Sequence, residues 1–261
     1  NQICCRTSSV KRFLKQNTTG VHVGYDAFAS RSESSAWLVG ATLRYAQSDQ
    51  EGLETAYGGN GETNEYSGKL YATWMHEKGS YLDALVQIGY YDQEIRGRSN
   101  SGYGSFDADY HNIGFGTSIE IGHMFSLSNQ SDDRRWFNHW FIEPQIELSY
   151  FYIKGRDFKT STGLRVEQGD ADFLTGRAGF VIGKKFNYGT SDDLDRRYFQ
   201  IGLIGGVNHE FLGDQEIRFI GTDGVSTKVD GHGLGGTSFY YGLTADWQIA
   251  NRPVSYTHLT L

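Results

Sequence analysis

Glu143 and Glu147 are the first residues whose types and spacing invite a chemical reading, since paired carboxylates are the working parts of general acid/base catalysis. In an extended chain every second residue shares a face, so the two carboxylates come to one side whether or not they do chemistry. No cleft signal accompanies them, and we read no catalysis. His209-Glu210 lacks the second His of a helical zinc motif, the chain's eight His are dispersed, and no bound metal is expected. Asp223-Gly and Asp230-Gly, with His232 nearby, carry calcium-loop residue types, but ordinary turns account for them more simply. The Gly-rich run from Gly231 to Gly236 is followed by no helical pattern and so is not a phosphate loop. No cofactor is expected, and the chain reads as a non-enzyme.

The element that carries the two glutamates is more informative than the pair itself. From Trp140 to Tyr150 the residues change character at each step: Ile142, Pro144, Ile146, Leu148 and Tyr150 fall on one face of a strand, and Glu143, Gln145, Glu147 and Ser149 on the other. This strand alone does not say whether the apolar face meets a protein core or a lipid tail. The same alternation recurs along the chain. Val23 and Tyr25 oppose Gly24 and Asp26. Trp37, Val39, Ala41, Leu43 and Tyr45 oppose Gly40, Thr42 and Arg44. Tyr66, Gly68, Leu70, Ala72 and Trp74 oppose Ser67, Lys69, Tyr71 and Thr73, and a short turn leads to Leu82, Ala84, Val86, Ile88 and Tyr90 against Asp83, Gln87 and Gly89. Ile113, Phe115, Ile119, Ile121 and Phe125 face away from Asn112, Gly114, Ser118, Glu120 and Gly122. Further on, Ala178, Phe180 and Ile182 oppose Arg177, and the segments Tyr198 to Phe211 and Tyr241 to Ile249 complete the series. Gln47 to Asn64, Arg96 to Asp107 and Lys154 to Asp172 read as loops. So does the polar connection containing Asp132, Asp133, Arg134 and Arg135.

Composition supports a chain of strands. Aromatics make up 15% of the 261 residues, and 34 Gly against 2 Pro suit many strands joined by flexible turns. A mean hydropathy of −0.50 and the lack of a long apolar run exclude a spanning helix, but not a membrane barrel, whose lumen and loops are polar. The net charge of −7, with Lys and Arg scattered, argues against nucleic acid as a partner. Cys4 and Cys5 are adjacent, a placement that rarely permits a disulfide, so redox compartment is not readable from them. No signal peptide is visible around Lys11, Arg12 and Lys15.

About nine strands result, most near ten residues, the length a tilted strand needs to cross a bilayer. The fold class is therefore all-β, an antiparallel up-and-down transmembrane barrel. Its lumen-facing residues are Lys69, Asp83, Gln87, Glu120, Glu143, Gln145, Glu147 and Arg177. Tyr45, Tyr66, Trp74, Tyr90, Phe125, Tyr150 and Trp247 stand at strand ends as an aromatic girdle at the membrane surfaces. Interior charges in such a barrel pair among themselves more often than they act on a ligand.

From about Val21 to Ala250 the chain resembles the C-terminal β-domain of autotransporters, the outer-membrane translocators of type V secretion. The resemblance rests on the ordered series Tyr66 to Trp74, Gly79 to Asp83, Phe141 to Gln145 with Glu147 to Tyr150, Gly163 to Val166, Gly176 to Gly179, and Asn208 to Phe211. It implies a twelve-stranded barrel whose pore holds a helix or a passenger segment in transit. It also implies location in the outer membrane of a Gram-negative bacterium, with lipid, the chain's own passenger and the barrel assembly machinery as partners. Residues 1–19 and 252–261 depart from the family pattern and are expected to be foreign or truncated flanks of a barrel domain over 20–251. Pro253 to Leu261 holds neither of the family's closing strands. Two other readings stay open at this point: a porin or adhesin barrel without a passenger, and a soluble all-β binding domain with a dry core.

Overall fold

Alternating residues with small or polar side chains on one face and aliphatic or aromatic ones on the other favour extended backbone, and the described residues are strand nearly throughout. The computed structural model describes residues 14–52, 57–99, 105–127, 139–187, 198–213, 215–230 and 236–248. The Cys4-Cys5 pair, Asp132 to Arg135, His232 and the tail beyond 248 lie outside these residues.

The strands are β1 (Leu14–Arg31), β2 (Ser35–Gly52), β3 (Tyr57–His76), β4 (Ser80–Ser99), β5 (Ser105–His123), β6 (Phe125–Ser126) and β7 (Trp140–Ile153). They continue as β8 (Phe158–Lys159), β9 (Arg165–Asn187), β10 (Tyr198–Leu212), β11 (Gln215–Ile220), β12 (Ser226–Asp230) and β13 (Thr237–Gln248). The main path runs β1-β2-β3-β4-β5-β7-β9-β10-β13, each strand antiparallel to the last, which is the up-and-down order expected of a barrel wall. These nine are the nine segments that alternate in the sequence. Among the described residues β1 and β13 do not pair with each other, so the described sheet is curled and open.

Several strands are longer than the alternation indicates. β1 to β5 and β9 run from 18 to 23 residues. The segment read as a loop from Gln47 to Asn64 is mostly ladder, paired without a break up to Glu51 and Asn60. Likewise Arg96 pairs with Asp107, and β9 begins at Arg165, inside the expected loop Lys154 to Asp172. β1 starts at Leu14, within the segment that the sequence sets apart. The cause is the same in each case: beyond the apolar band both faces of the sheet meet water, and a pattern that depends on one greasy face falls silent.

Tight turns join β1 to β2 and β3 to β4 at one rim. In the β3–β4 turn Gly79 has φ +97°, and a Cβ there would stand 2.5 Å from the Met124 carbonyl oxygen, so the position accepts only glycine without strain. No dry core exists. The buried apolar residues, among them Ala46, Phe141, Val166 and Val181, are scattered along the wall.

Candidate functional site

Parity places every expected lumen residue on one face of the sheet. Lys69 on β3 stands opposite Gln87 on β4, and Asp83 on β4 opposite Glu120 on β5. Glu120 is opposite Glu147 on β7, which is opposite Arg177 on β9. Asn208 on β10 and Ser238 on β13 continue the row. Glu143 and Gln145 share the face by strand parity, and the Gln145 amide donates to Glu143 at 2.9 Å.

This face is concave, as its side-chain contacts show. Strands two apart in a flat sheet are separated by about 10 Å, yet Arg177 bonds Glu120 past the intervening β7, and the Tyr71 hydroxyl donates to Asp26 past β2. Arg177 also holds Glu147 at 2.5 Å, and the Tyr81 hydroxyl donates to Glu120 at 2.6 Å. Two carboxylates, Glu120 and Glu147, thus share one guanidinium, and Asp83, opposite Glu120 on the next strand, takes the Thr73 hydroxyl instead. Like charges directly opposed are unfavourable unless bridged, and Arg177 supplies the bridge. Its Nε–H and the Tyr240 hydroxyl are buried without a protein partner among the described residues.

Aromatic rings lie flat on this face over glycines of adjacent strands. Tyr71 covers Gly40, Tyr81 covers Gly122, and Tyr240 spans Gly179 and Gly206. A Cβ at any of these glycines would run into the ring. The sequence puts Tyr71 on the inward face, but none of these three tyrosines is among the expected lumen residues. Knowing which ring meets which glycine requires the register.

The opposite, convex face is apolar and open. Val23 is 71% exposed, Ile146 61% and Leu148 54%, with Leu70, Ile88, Ile119 and Leu203 also outward. A soluble domain with a dry core would bury these side chains against one another, so that reading is overturned. Tyr45, Tyr66 and Tyr90 form a lateral row, with ring centroids 5.2 and 6.4 Å apart, which His111 extends by stacking on Tyr90. Eight positions down β2 and β3 stand Trp37 and Trp74, cross-strand partners, and Phe125 lies beside Ile142 near the same rim. Eight residues span ~26 Å along a strand, or ~20 Å after barrel tilt, close to the ~25 Å apolar band of outer-membrane barrels. Tyr150 points its hydroxyl to Asp172, and Tyr152 donates to Asp170 at 2.6 Å, both on the outward side of β9. The backbone of Trp247 pairs with Phe199; its side chain lies outside the described residues.

Among the described residues no group of His, Cys, Asp and Glu is arranged to hold a metal, and no helix is long and apolar enough to cross a membrane, which leaves strands free to do so. An apolar belt bounded by aromatic rows outside, with ion pairs inside, defines the wall of a membrane-spanning β-barrel. The autotransporter β-domain model matches residues 7–256, and the chain belongs to that family, the outer-membrane barrels of Gram-negative bacteria.

Relatives agree. The pertactin autotransporter of Bordetella bronchiseptica is 27% identical over 232 residues, 89% of this chain and 23% of its own length. The BrkA autotransporter of Bordetella pertussis is 32% identical over 182 residues, 67% of this chain and 16% of its own. The Autotransporter CRAC of Citrobacter rodentium is 27% identical over 76% of this chain and 11% of its own length, so the chain spans less than a quarter of each of these relatives. The crystal structure of the β-domain of the Bordetella autotransporter BrkA superposes with a TM-score of 0.64 at 26% identity, covering 90% of this chain and 86% of that one. The transport unit of AIDA-I from Escherichia coli shares the fold at a TM-score of 0.56 and 12% identity, over 89% of this chain and 72% of that one.

Proposed function

We propose that this chain forms the wall of an outer-membrane conduit through which an N-terminal passenger of the same precursor reaches the cell surface, and by which it is anchored. One observation carries the reading: consecutive residues such as Glu147 and Leu148 are sorted to opposite faces, the charged one inward and the aliphatic one outward. A polar lumen offers a moving polypeptide no apolar surface to adhere to. The hydrogen-bonded wall keeps strand backbone paired where it faces lipid. The eight inward residues, Lys69, Asp83, Gln87, Glu120, Glu143, Gln145, Glu147 and Arg177, line the conduit and keep it hydrated. The aromatic rows seat it among lipid headgroups. In this reading residues 20–251 are the barrel domain, 1–19 and 252–261 its flanks, outer-membrane lipid and the barrel assembly machinery its partners, and no catalytic step is involved.

The test is surface display of the precursor. Cells expressing the full gene are treated with a protease that cannot cross the outer membrane, with and without the segment encoding this chain. Loss of the passenger's external cleavage on deleting the segment is expected. A passenger still cleaved from outside without it would overturn the assignment.

A further inference from the structure

Above the tyrosine row the wall changes partners. β7 ends at Ile153, which pairs with Gly114 of β5 and Ala171 of β9, whereas β5 extends on to Ser105 and β9 to Arg165. A space one strand wide is left between β5 and β9, and the segment from Lys154 to Leu164 fills it. On the β9 side it forms the two-residue β8, pairing Phe158 with Val166 and Lys159 with Arg165. On the β5 side its attachment is sparse. Lys154 N–H donates to the Ile113 carbonyl at 2.9 Å, and Ser161 N–H to the Asp107 carbonyl at 2.8 Å, with the Asp107 N–H returning to Ser161 Oγ at 3.1 Å. Between those points no backbone hydrogen bond joins the segment to β5 among the described residues.

Side chains supply the rest. Asn112, on the concave side of β5, is only 2% exposed, an unusual state for a polar residue in a hydrated conduit. Its Nδ2 donates to the Lys154 carbonyl at 2.8 Å and to Gln168 Oε1 of β9 at 3.1 Å, and its Oδ1 accepts from Gln93 of β4 at 2.7 Å. One amide therefore ties together two strands of the left wall, one of the right and the segment between them. Beside it Tyr110 of β5 stacks on Phe158 with ring centroids 4.2 Å apart and planes 5° from parallel, and the Tyr110 hydroxyl donates to Gln93 at 3.1 Å.

We propose that Lys154 to Leu164 is a releasable strap latched by Asn112, and that its departure opens a slot between β5 and β9 through the part of the wall above the bilayer. A continuous ladder comes apart cooperatively and at high cost. A segment held to one neighbour by its two ends, one amide and one ring stack opens on its own, at lower cost. Release bares the β5 edge from Asp107 to Ile113, whose backbone groups are then free to pair with an extended chain inside the lumen. The proposal rests on the conduit reading only for the choice of which rim faces outward.

Amide hydrogen exchange of the folded full chain in lipid, read by mass spectrometry, tests it without reference to export. In Asn112→Leu, exchange within 154–164 and at the Asp107 amide should rise about tenfold, while 140–153 and 171–186 keep their protection. Phe158→Ala, which loosens the strap from its own side and leaves the wall untouched, should do the same more weakly. Unchanged exchange of the strap in both variants, or an equal rise throughout the sheet, would overturn the proposal. So would a strap already as protected as β7 in the unaltered protein.

Discussion

Arg177 on β9 reaches past β7 to bond Glu120 on β5, while Glu147, on the strand it crosses, takes its second interaction. Removing the guanidinium would leave Glu120 and Glu147, directly opposite each other, unbridged. Arg177→Met should therefore destabilise the barrel by about 2 kcal/mol, less than a fully buried pair because the side chain retains some water. Guanidinium-induced unfolding in lipid vesicles measures this. Adding Glu147→Gln to the same variant should restore part of the loss; a loss that grows with the second change would contradict the bridging role.

The two faces of β7 give a sharper contrast. Leu148→Lys places a charge where the convex wall meets lipid and should cost about 2 to 4 kcal/mol, whereas Ser149→Lys, on the conduit side, should be mild. Equal effects at the two positions, in the same vesicle unfolding assay, would mean that the apolar belt is not in contact with acyl chains.

The alternation from Trp140 to Tyr150 sorts its residues onto two faces, because parity is a local property and survives ignorance of the neighbours. Strand ends were harder. Gln47, Asp49 and Glu51 continue the outward row above Tyr45, and Asn60, Glu62 and Asn64 continue it above Tyr66, but with polar residues on both faces nothing in the sequence distinguishes ladder from loop. The short β11–β12 hairpin went unread for a related reason: Ile217 and Phe219 alternate over too few residues to stand out. Contacts such as Arg177 with Glu120, or Asn112 with Gln168, depend on strand order and register together, and neither is encoded in any single stretch.

Tyr81 lies over Gly122 with its hydroxyl on Glu120, so the ring and the glycine share one space. Gly122→Ala should displace the ring and cost about 1 to 3 kcal/mol. In a Tyr81→Ala background the same change should be nearly neutral. A glycine substitution equally harmful with and without the ring would show that backbone freedom, not ring contact, is what Gly122 provides.

Asp170, just past the last β7–β9 backbone pair and beside the strap, is held below the usual carboxylate range first by the Tyr152 hydroxyl and then by the Gly155 N–H, with Lys154 adding a smaller charge effect. A folded-state value depressed in this way contributes stability above the unfolded carboxylate pKa, and the contribution is lost as pH falls through the lower folded value. Asp170→Asn should accordingly weaken the attachment of the strap at neutral pH and make no difference in strong acid. Comparing protease cutting within 154–164 for the two proteins at both pH values checks this; an effect that persists at low pH would point to lost geometry rather than lost charge.

The length of the strands has a consequence for delivery. β3 holds 20 residues, ~66 Å of extended chain, of which the membrane band takes less than half. Even after tilting, the nine residues of β3 above Tyr66 carry the palisade ~20 Å beyond the tyrosine row. Under the proposed function, a passenger leaving at its summit meets bulk water instead of a crowded lipid surface, and its first opportunity to fold comes at arm's length from the cell.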